Sequence, residues 1–152
     1  MANLSDWLSQ LTAEQTMLRE FVQLLQSEQA TLVGIDTDQL LVFSDQKSGL
    51  IARLAAQAKQ RRELQAMLGF GGDVEHWLKS NLPTALDGWH LLQQLAREAQ
   101  ELNRINGELI QVRLRHTQQA LTVLTAASNS ASLYGADGQT HHVGGGRILG
   151  AA

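Results

Sequence analysis

Histidine and aspartate side chains are the residues whose chemistry would suit a metal site, but their spacing does not build one. No histidine is followed three or four residues later by a second metal ligand on a predicted helix, and the H-E-x-x-H pattern of helical zinc sites does not occur. Asp36 and Asp38 resemble half of a calcium-binding loop. The later glutamate and the turn of such a loop are missing, so helix capping is the better interpretation. We therefore predict neither a metal ion nor a cofactor. The histidines are His76, His90, His116, His141 and His142.

A glycine run near the C-terminus is the feature that most suggests phosphate binding. Residues 144–146 are glycines and Arg147 follows, but the Lys-Ser/Thr pair, the strand and the helix of a phosphate-binding loop are missing. A flexible linker that ends in Ile148 and Leu149 is the better interpretation. The chain also has no cysteine, which excludes a thiolate nucleophile. We therefore predict a protein that is not an enzyme.

The charge balance disfavours nucleic acid as a partner. Twelve basic residues stand against fifteen acidic ones, giving a net charge of −3, whereas binding to a phosphate backbone needs a basic surface. Lys59, Arg61 and Arg62 form the densest basic group, and we interpret them as a solvated helix end whose dipole favours positive charge. No apolar run approaches the roughly 18 to 20 residues of a membrane-spanning helix, so we expect no stable membrane insertion.

The composition indicates that helices position all of these residues. Leucine, alanine and glutamine, which lose little side-chain freedom in a helix, occur 26, 18 and 17 times, against 12 valines and isoleucines together. We predict an all-α fold: an elongated antiparallel, coiled-coil-like bundle of three long helices plus one short helix, with a flexible Gly/Ser-rich C-terminal tail. The helices are expected at about residues 3–33, 38–68, 74–81 and 85–127. Residues 1–127 would form the bundle and 128–152 a partner-binding tail.

The first predicted helix carries a heptad seam, the spacing that keeps one stripe of side chains against a partner helix. Gln15 and Gln29 occupy two places in this seam. Gly34 can take the left-handed conformation after the helix end, and Asp36 or Thr37 can cap the second helix. A link this short makes the first two helices antiparallel neighbours. The apolar seam residues are Leu4, Leu8, Leu11, Leu18, Val22, Leu25 and Leu32.

Asn106 and Gly107 interrupt the apolar face of the last long helix although both residue types have low helix propensity. A polar asparagine in a seam can specify register, and a glycine permits close approach of another helix. The three tryptophans, Trp7, Trp77 and Trp89, are expected to pack helix ends together.

Three patches of sequence, in this order along the chain, carry a resemblance to a known family. The first lies around Lys47 and Leu50-Ile51 and ends in Met67-Leu68-Gly69. The second is Leu102-Asn103-Arg104-Ile105-Asn106, inside the last long helix. The third is the tail from Leu133 to Thr140, followed by Gly146-Arg147, and it is the most specific. In these patches the chain resembles the FlgN family of flagellar export chaperones.

The resemblance implies a cytoplasmic, non-enzymatic chaperone. Such proteins bind the C-terminal region of the hook-associated proteins of the hook–filament junction and prevent their premature assembly. They then deliver this cargo to the flagellar type III export apparatus, including the membrane export gate. The chain would be a monomer or a weak homo-oligomer. The alternative is a self-associating structural coiled-coil subunit or adaptor without an exported client, because heptads also suit self-association.

The resemblance also implies which residues serve each partner. Such chaperones bind cargo through the C-terminal part of the last long helix and the segment after it. For Leu121 and Leu124, packing against the first or second helix is an equal alternative. Tyr134 matches the tyrosine of such chaperones that contacts the export gate, with a local turn anchor as the alternative. The implied cargo-binding residues are Leu114, Leu121, Leu124, Leu133, Ile148 and Leu149.

Overall fold

The computed structural model describes residues 1–34 and 38–134, with side chains placed for residues 1–34 and 38–130. Within these residues the regular elements are all helical, which confirms the predicted class. The predicted helix limits lie within two residues of the observed ones, except at the end of the last helix. A single 3₁₀ turn, Pro83–Ala85, precedes that helix. The helices are α1 (Leu4–Val33), α2 (Leu40–Met67), α3 (Val74–Asn81) and α4 (Leu86–Tyr134).

Side chains cap α1 and α3 because the first N–H groups of a helix have no partner within it. Asn3 accepts a hydrogen bond from the backbone N–H of Asp6 (2.9 Å), and Asp6 accepts one from the backbone N–H of Asn3 (3.2 Å). This reciprocal pair is a capping box. Asp73 accepts from the backbone N–H of His76 in the same way, at 3.0 Å.

The glycine predicted to end α1 and the one that ends α2 behave differently. Gly34 has an extended backbone, so the left-handed conformation predicted for it is wrong. Gly69, with φ of +85°, takes the left-handed conformation that favours glycine. The N-cap of α2 is Gln39, which makes no capping hydrogen bond through its side chain. The predicted caps Asp36 and Thr37 lie outside the described residues.

Helix α4 continues to Tyr134, past the end predicted near Ala127. Residues 128–134, which the sequence predicts to be part of the tail, are therefore helical. The physical reason is that no glycine or proline interrupts the chain between Gly107 and Gly135, so serine and asparagine alone do not stop the helix.

The chain divides after Ile110, within α4, into two compact units: Met1–Ile110, the first unit, and Gln111–Ala152, the second unit. The sequence had suggested a division after Ala127. In the first unit, α2 runs antiparallel to α1, since Glu14 pairs with Arg61 and Glu28 with Lys47. The initial part of α4 runs parallel to α1 instead.

The buried stripe of α1 includes most of the predicted seam, since Gln15, Val22 and four seam leucines are buried, but it extends to residues that the seam left out. Trp7 and Phe21 are buried, whereas Leu8, which the seam included, is 36% exposed. Glu14 and Glu28 also lie in this stripe and are buried. The two patterns share four leucines. The buried residues at alternating steps of four and three are Trp7, Leu11, Glu14, Leu18, Phe21, Leu25, Glu28 and Leu32.

Four aromatic side chains pack together at the end of the first unit where α1 begins. Trp7 contacts Phe70 edge-on, with ring centroids 5.3 Å apart, and Phe70 stacks on Trp77 at 4.1 Å. The ring centroids of Trp7 and Trp89 lie 6.4 Å apart. The tryptophans therefore join α1, α3 and α4, as predicted, and Phe70 in the α2–α3 loop completes the cluster.

The close helix approach predicted at Gly107 occurs at Gly88 instead. A Cβ atom on Gly88 would lie 3.3 Å from Gln15 Nε2, the atom that donates a 2.7 Å hydrogen bond to the Gly88 carbonyl. A Cβ atom on Gly107 would meet nothing within 4 Å. Gly107 thus has no steric reason to be glycine.

We expect Gly107→Ala to stabilise the protein by about 0.5–1 kcal/mol, because alanine restricts the unfolded chain and suits a helix interior. Urea unfolding followed by circular dichroism measures this change. Gly49→Ala is the matched control, since Gly49 is also an exposed mid-helix glycine with open space around it. A decrease in stability for Gly107→Ala alone would show that this glycine has a packing role.

Candidate functional site

Three leucines form an exposed stripe on the second unit. Leu114, Leu121 and Leu124 are 50, 57 and 64% exposed. They follow one another at steps of seven and three residues, which place them on one side of α4. We call these three residues the leucine stripe. Ordinary core packing, the alternative considered for Leu121 and Leu124, does not account for side chains this exposed.

The rest of this helical segment is polar or small, and none of residues 111–130 is buried. Gln118 and Gln119 are exposed beside the stripe, and Val123, 67% exposed, lies away from it. No acidic residue occurs between Glu108 and Asp137. The segment therefore offers a partner an apolar stripe on a helix that presents no carboxylate.

The other predicted partner-binding residues are placed only in part. Leu133 and Tyr134 belong to the last turn of α4, as far as the backbone is described. Ile148 and Leu149 lie outside the described residues. The structure thus brings three of the six predicted cargo residues together, and the cargo-binding role of all six stays a prediction.

Sequence reasoning missed a buried ion pair between α1 and α2. Arg61, interpreted above as part of a solvated helix end, is buried and pairs through its guanidinium with the Glu14 carboxylate. Its Nη1 also donates to Gln65 Oε1 at 3.3 Å, and its guanidinium carbon lies 5.2 Å from the centre of the Trp89 ring. The solvated interpretation is wrong for this residue because Glu14, in the buried stripe of α1, needs a cation.

A second buried polar cluster joins three helices further along α1. Glu28 Oε1 accepts a hydrogen bond from Lys47 Nζ of α2 at 3.2 Å and from Asn106 Nδ2 of α4 at 2.9 Å. Asn106 Nδ2 also donates to the Leu25 carbonyl at 2.8 Å. The available sequence signal was the heptad step itself, since Trp7, Glu14, Phe21 and Glu28 follow one another every seven residues.

Surface ion pairs elsewhere do not form a reaction centre. Lys79 Nζ lies 2.9 Å from Glu75 Oε1 and lowers the pKa of that carboxyl by hydrogen bonding, with His90 adding to the effect. Arg104 donates to Glu101 and lowers its pKa in the same way. Among the described residues no group of three or more histidine, aspartate or glutamate side chains could hold a metal ion.

Comparison with known proteins decides the family. The family model described as FlgN protein matches residues 1–142. The chain belongs to the FlgN family. The resemblance seen in the three sequence patches is thereby confirmed, and FlgN proteins are not a known enzyme family.

The matching relatives are named for flagella synthesis. The chain is 33% identical to the flagella synthesis protein FlgN of Salmonella typhimurium strain LT2, over 97% of this chain and 99% of the relative. It is 31% identical to the protein of that name from Yersinia enterocolitica, over 97% of this chain and 91% of the relative. The flagella synthesis protein FlgN of Escherichia coli K12 is 30% identical, over 97% of this chain and 99% of the relative. No solved structure matches this FlgN chain. The family and these names support a role in flagellum biogenesis.

This FlgN chain shows no membrane-crossing helix where the structure describes it, since none there is both long and apolar enough.

We expect Glu14→Leu to destabilise the protein by about 3–5 kcal/mol, because it leaves the Arg61 charge buried without its partner. The double variant Glu14→Leu/Arg61→Met should recover most of this loss, since it removes both charges. Chemical unfolding of the three proteins measures the difference.

The matched control for this pair is Glu63→Leu, which breaks the exposed Lys59–Glu63 pair on α2. This substitution should lower the free energy of unfolding by less than about 1 kcal/mol, as is usual for surface ion pairs. Equal losses for Glu14→Leu and Glu63→Leu would contradict the structural importance of the buried pair.

Proposed function

We propose that this FlgN protein is a cytoplasmic flagellar export chaperone. It binds the C-terminal region of the hook-associated proteins, prevents their premature assembly and delivers them to the flagellar type III export apparatus. The exposed leucine stripe of α4 is the observation that supports this proposal most directly. The family membership and the names of the relatives support the flagellar role.

The stripe suits a helical client for a physical reason. A helical terminus that has not yet assembled exposes its own apolar side chains, and two such stripes bury each other when the helices pair. Complete burial of a leucine is worth about 1.5–3 kcal/mol, so the remaining exposed area of each stripe leucine supplies about 1 kcal/mol or more. Three such leucines give a client a useful but reversible binding energy.

The residues after the stripe extend the same surface in our proposal. Leu133, Ile148 and Leu149 would add apolar contacts to the client after α4 ends. A segment that orders on its partner covers a large surface and keeps the affinity moderate, which suits a cargo that must be released for export.

Tyr134 serves a different partner in this proposal. It would dock on the export gate while the leucines hold the client, so that delivery does not require the client to leave first. Its position at the described end of α4 is compatible with this role. The protein would act without an enzymatic step and without a cofactor, as a monomer or weak homo-oligomer that does not insert into the membrane.

Leu121→Ser/Leu124→Ser should weaken binding to the C-terminal region of a hook-associated protein by about 10-fold or more, because two apolar contacts are lost. Isothermal titration calorimetry measures the affinity. The thermal stability should be almost unchanged, since both leucines are more than half exposed in the free protein.

The matched control is Gln118→Ser/Gln119→Ser, which makes the same new residues at exposed neighbouring positions. It should bind the client normally. Undiminished client binding by the leucine variant would contradict the proposed site. If the leucine variant instead dissociates a stable dimer seen by sedimentation, the stripe serves self-association, the alternative function.

Tyr134→Ala should retain the client and lose affinity for the export gate, because the tyrosine is assigned to the gate alone. Parallel pull-downs with the client and with the soluble domain of the gate measure both interactions. Tyr134→Phe, which keeps the ring, controls for the loss of side-chain volume. Loss of both partners together would show that Tyr134 is misassigned.

A further inference from the structure

The Glu28–Lys47–Asn106 cluster has features that stability alone does not explain. Asn106 is completely buried, and its Oδ1 atom has no hydrogen-bond partner among the described residues. An apolar residue at this place in the seam would avoid the free-energy cost of an unpaired buried oxygen. A polar residue retained at such a position is best known for selecting one helix alignment over others.

The apolar residues around Asn106 permit an alternative alignment. Leu95, Leu102 and Leu109 recur every seven residues, so a slip of one heptad along α1 would still place leucines at two of these three positions, with Gly88 or His116 at the third. The same slip would put Ala99 or Arg113 opposite Glu28, in place of Asn106. Asn106 donates from one amide nitrogen to Glu28 and to the Leu25 carbonyl, whereas Ala99 has no side-chain donor and Arg113 would bring a second positive charge beside Lys47.

We propose that the Glu28–Lys47–Asn106 cluster is a register lock for α4 within the first unit. Glu28 Oε1 is the common acceptor: Lys47 attaches α2 to it and Asn106 attaches α4 to it. In the observed alignment this one oxygen accepts hydrogen bonds from both helices. The lock therefore determines which α4 residues the α1–α2 hairpin covers.

The lock has a functional consequence that rests on the proposed function. If the leucine stripe binds the client, the register of α4 decides which leucines remain available to it. Asn106 is then a positioning residue for a site that it does not touch.

Distance measurement between two spin labels tests the lock without any client. The chain has no cysteine, so Ser9→Cys and Gln100→Cys, both at exposed positions, would carry the only labels. The labelled parent should give one distance. Asn106→Leu should add a second population shifted by about 10 Å, because one heptad spans seven residues at about 1.5 Å each.

Asn103→Leu is the matched control, since it places the same residue at an exposed position one turn earlier, and it should give the parent distance alone. Asn106→Ala replaces Asn106→Leu if the latter does not fold. A single unchanged distance in the folded Asn106 variant would overturn the lock. Client binding, measured separately, would then still test the proposed function independently.

Discussion

Burial of two carboxylates in the buried stripe of α1 is the constraint on which the first unit depends. Glu14 and Glu28 lie two heptads apart in a stripe that is otherwise apolar, and each must find a positive or polar partner, because an unpaired buried charge is very costly. Arg61 and Lys47 of α2 supply the charges, and their positions admit only an antiparallel hairpin. Asn106 then joins α4 to the second carboxylate, so one chemical requirement sets the alignment of all three long helices.

The second unit differs from the first because its described side chains stay accessible to solvent. Along residues 111–130 no side chain is buried, and the leucine stripe remains exposed on a helix that presents no carboxylate. Exposed leucines at heptad spacing offer binding energy that the chain itself leaves unused. A protein divided in this way combines a helical scaffold held by specific polar contacts with a surface suited to another helix. That division is consistent with the flagellar role of the FlgN family.

Helix ends could be predicted from the sequence more reliably than the buried face of α1. Asn3 and Asp73 begin helices and Gly69 ends one through residue types typical of these positions, because capping depends on a few neighbouring residues. The predicted seam of α1 holds for Gln15, Val22 and four leucines, which are buried, but it omitted the buried Glu14 and Glu28. Arg61 was interpreted as solvated because its partner, Glu14, lies 47 positions away in the chain.

The sequence by itself determined the helical class and the limits of the first three helices, because composition and periodicity are local properties, and three patches of sequence carried the likeness to the FlgN family. Only the tertiary structure decided that Glu14 and Glu28 face inward, that Gly88 and not Gly107 lies against another helix, and that Leu121 and Leu124 stay exposed. These outcomes depend on which helix faces meet. An isolated pattern of apolar and charged residues does not contain that information, since several faces of a long helix satisfy the same periodicity.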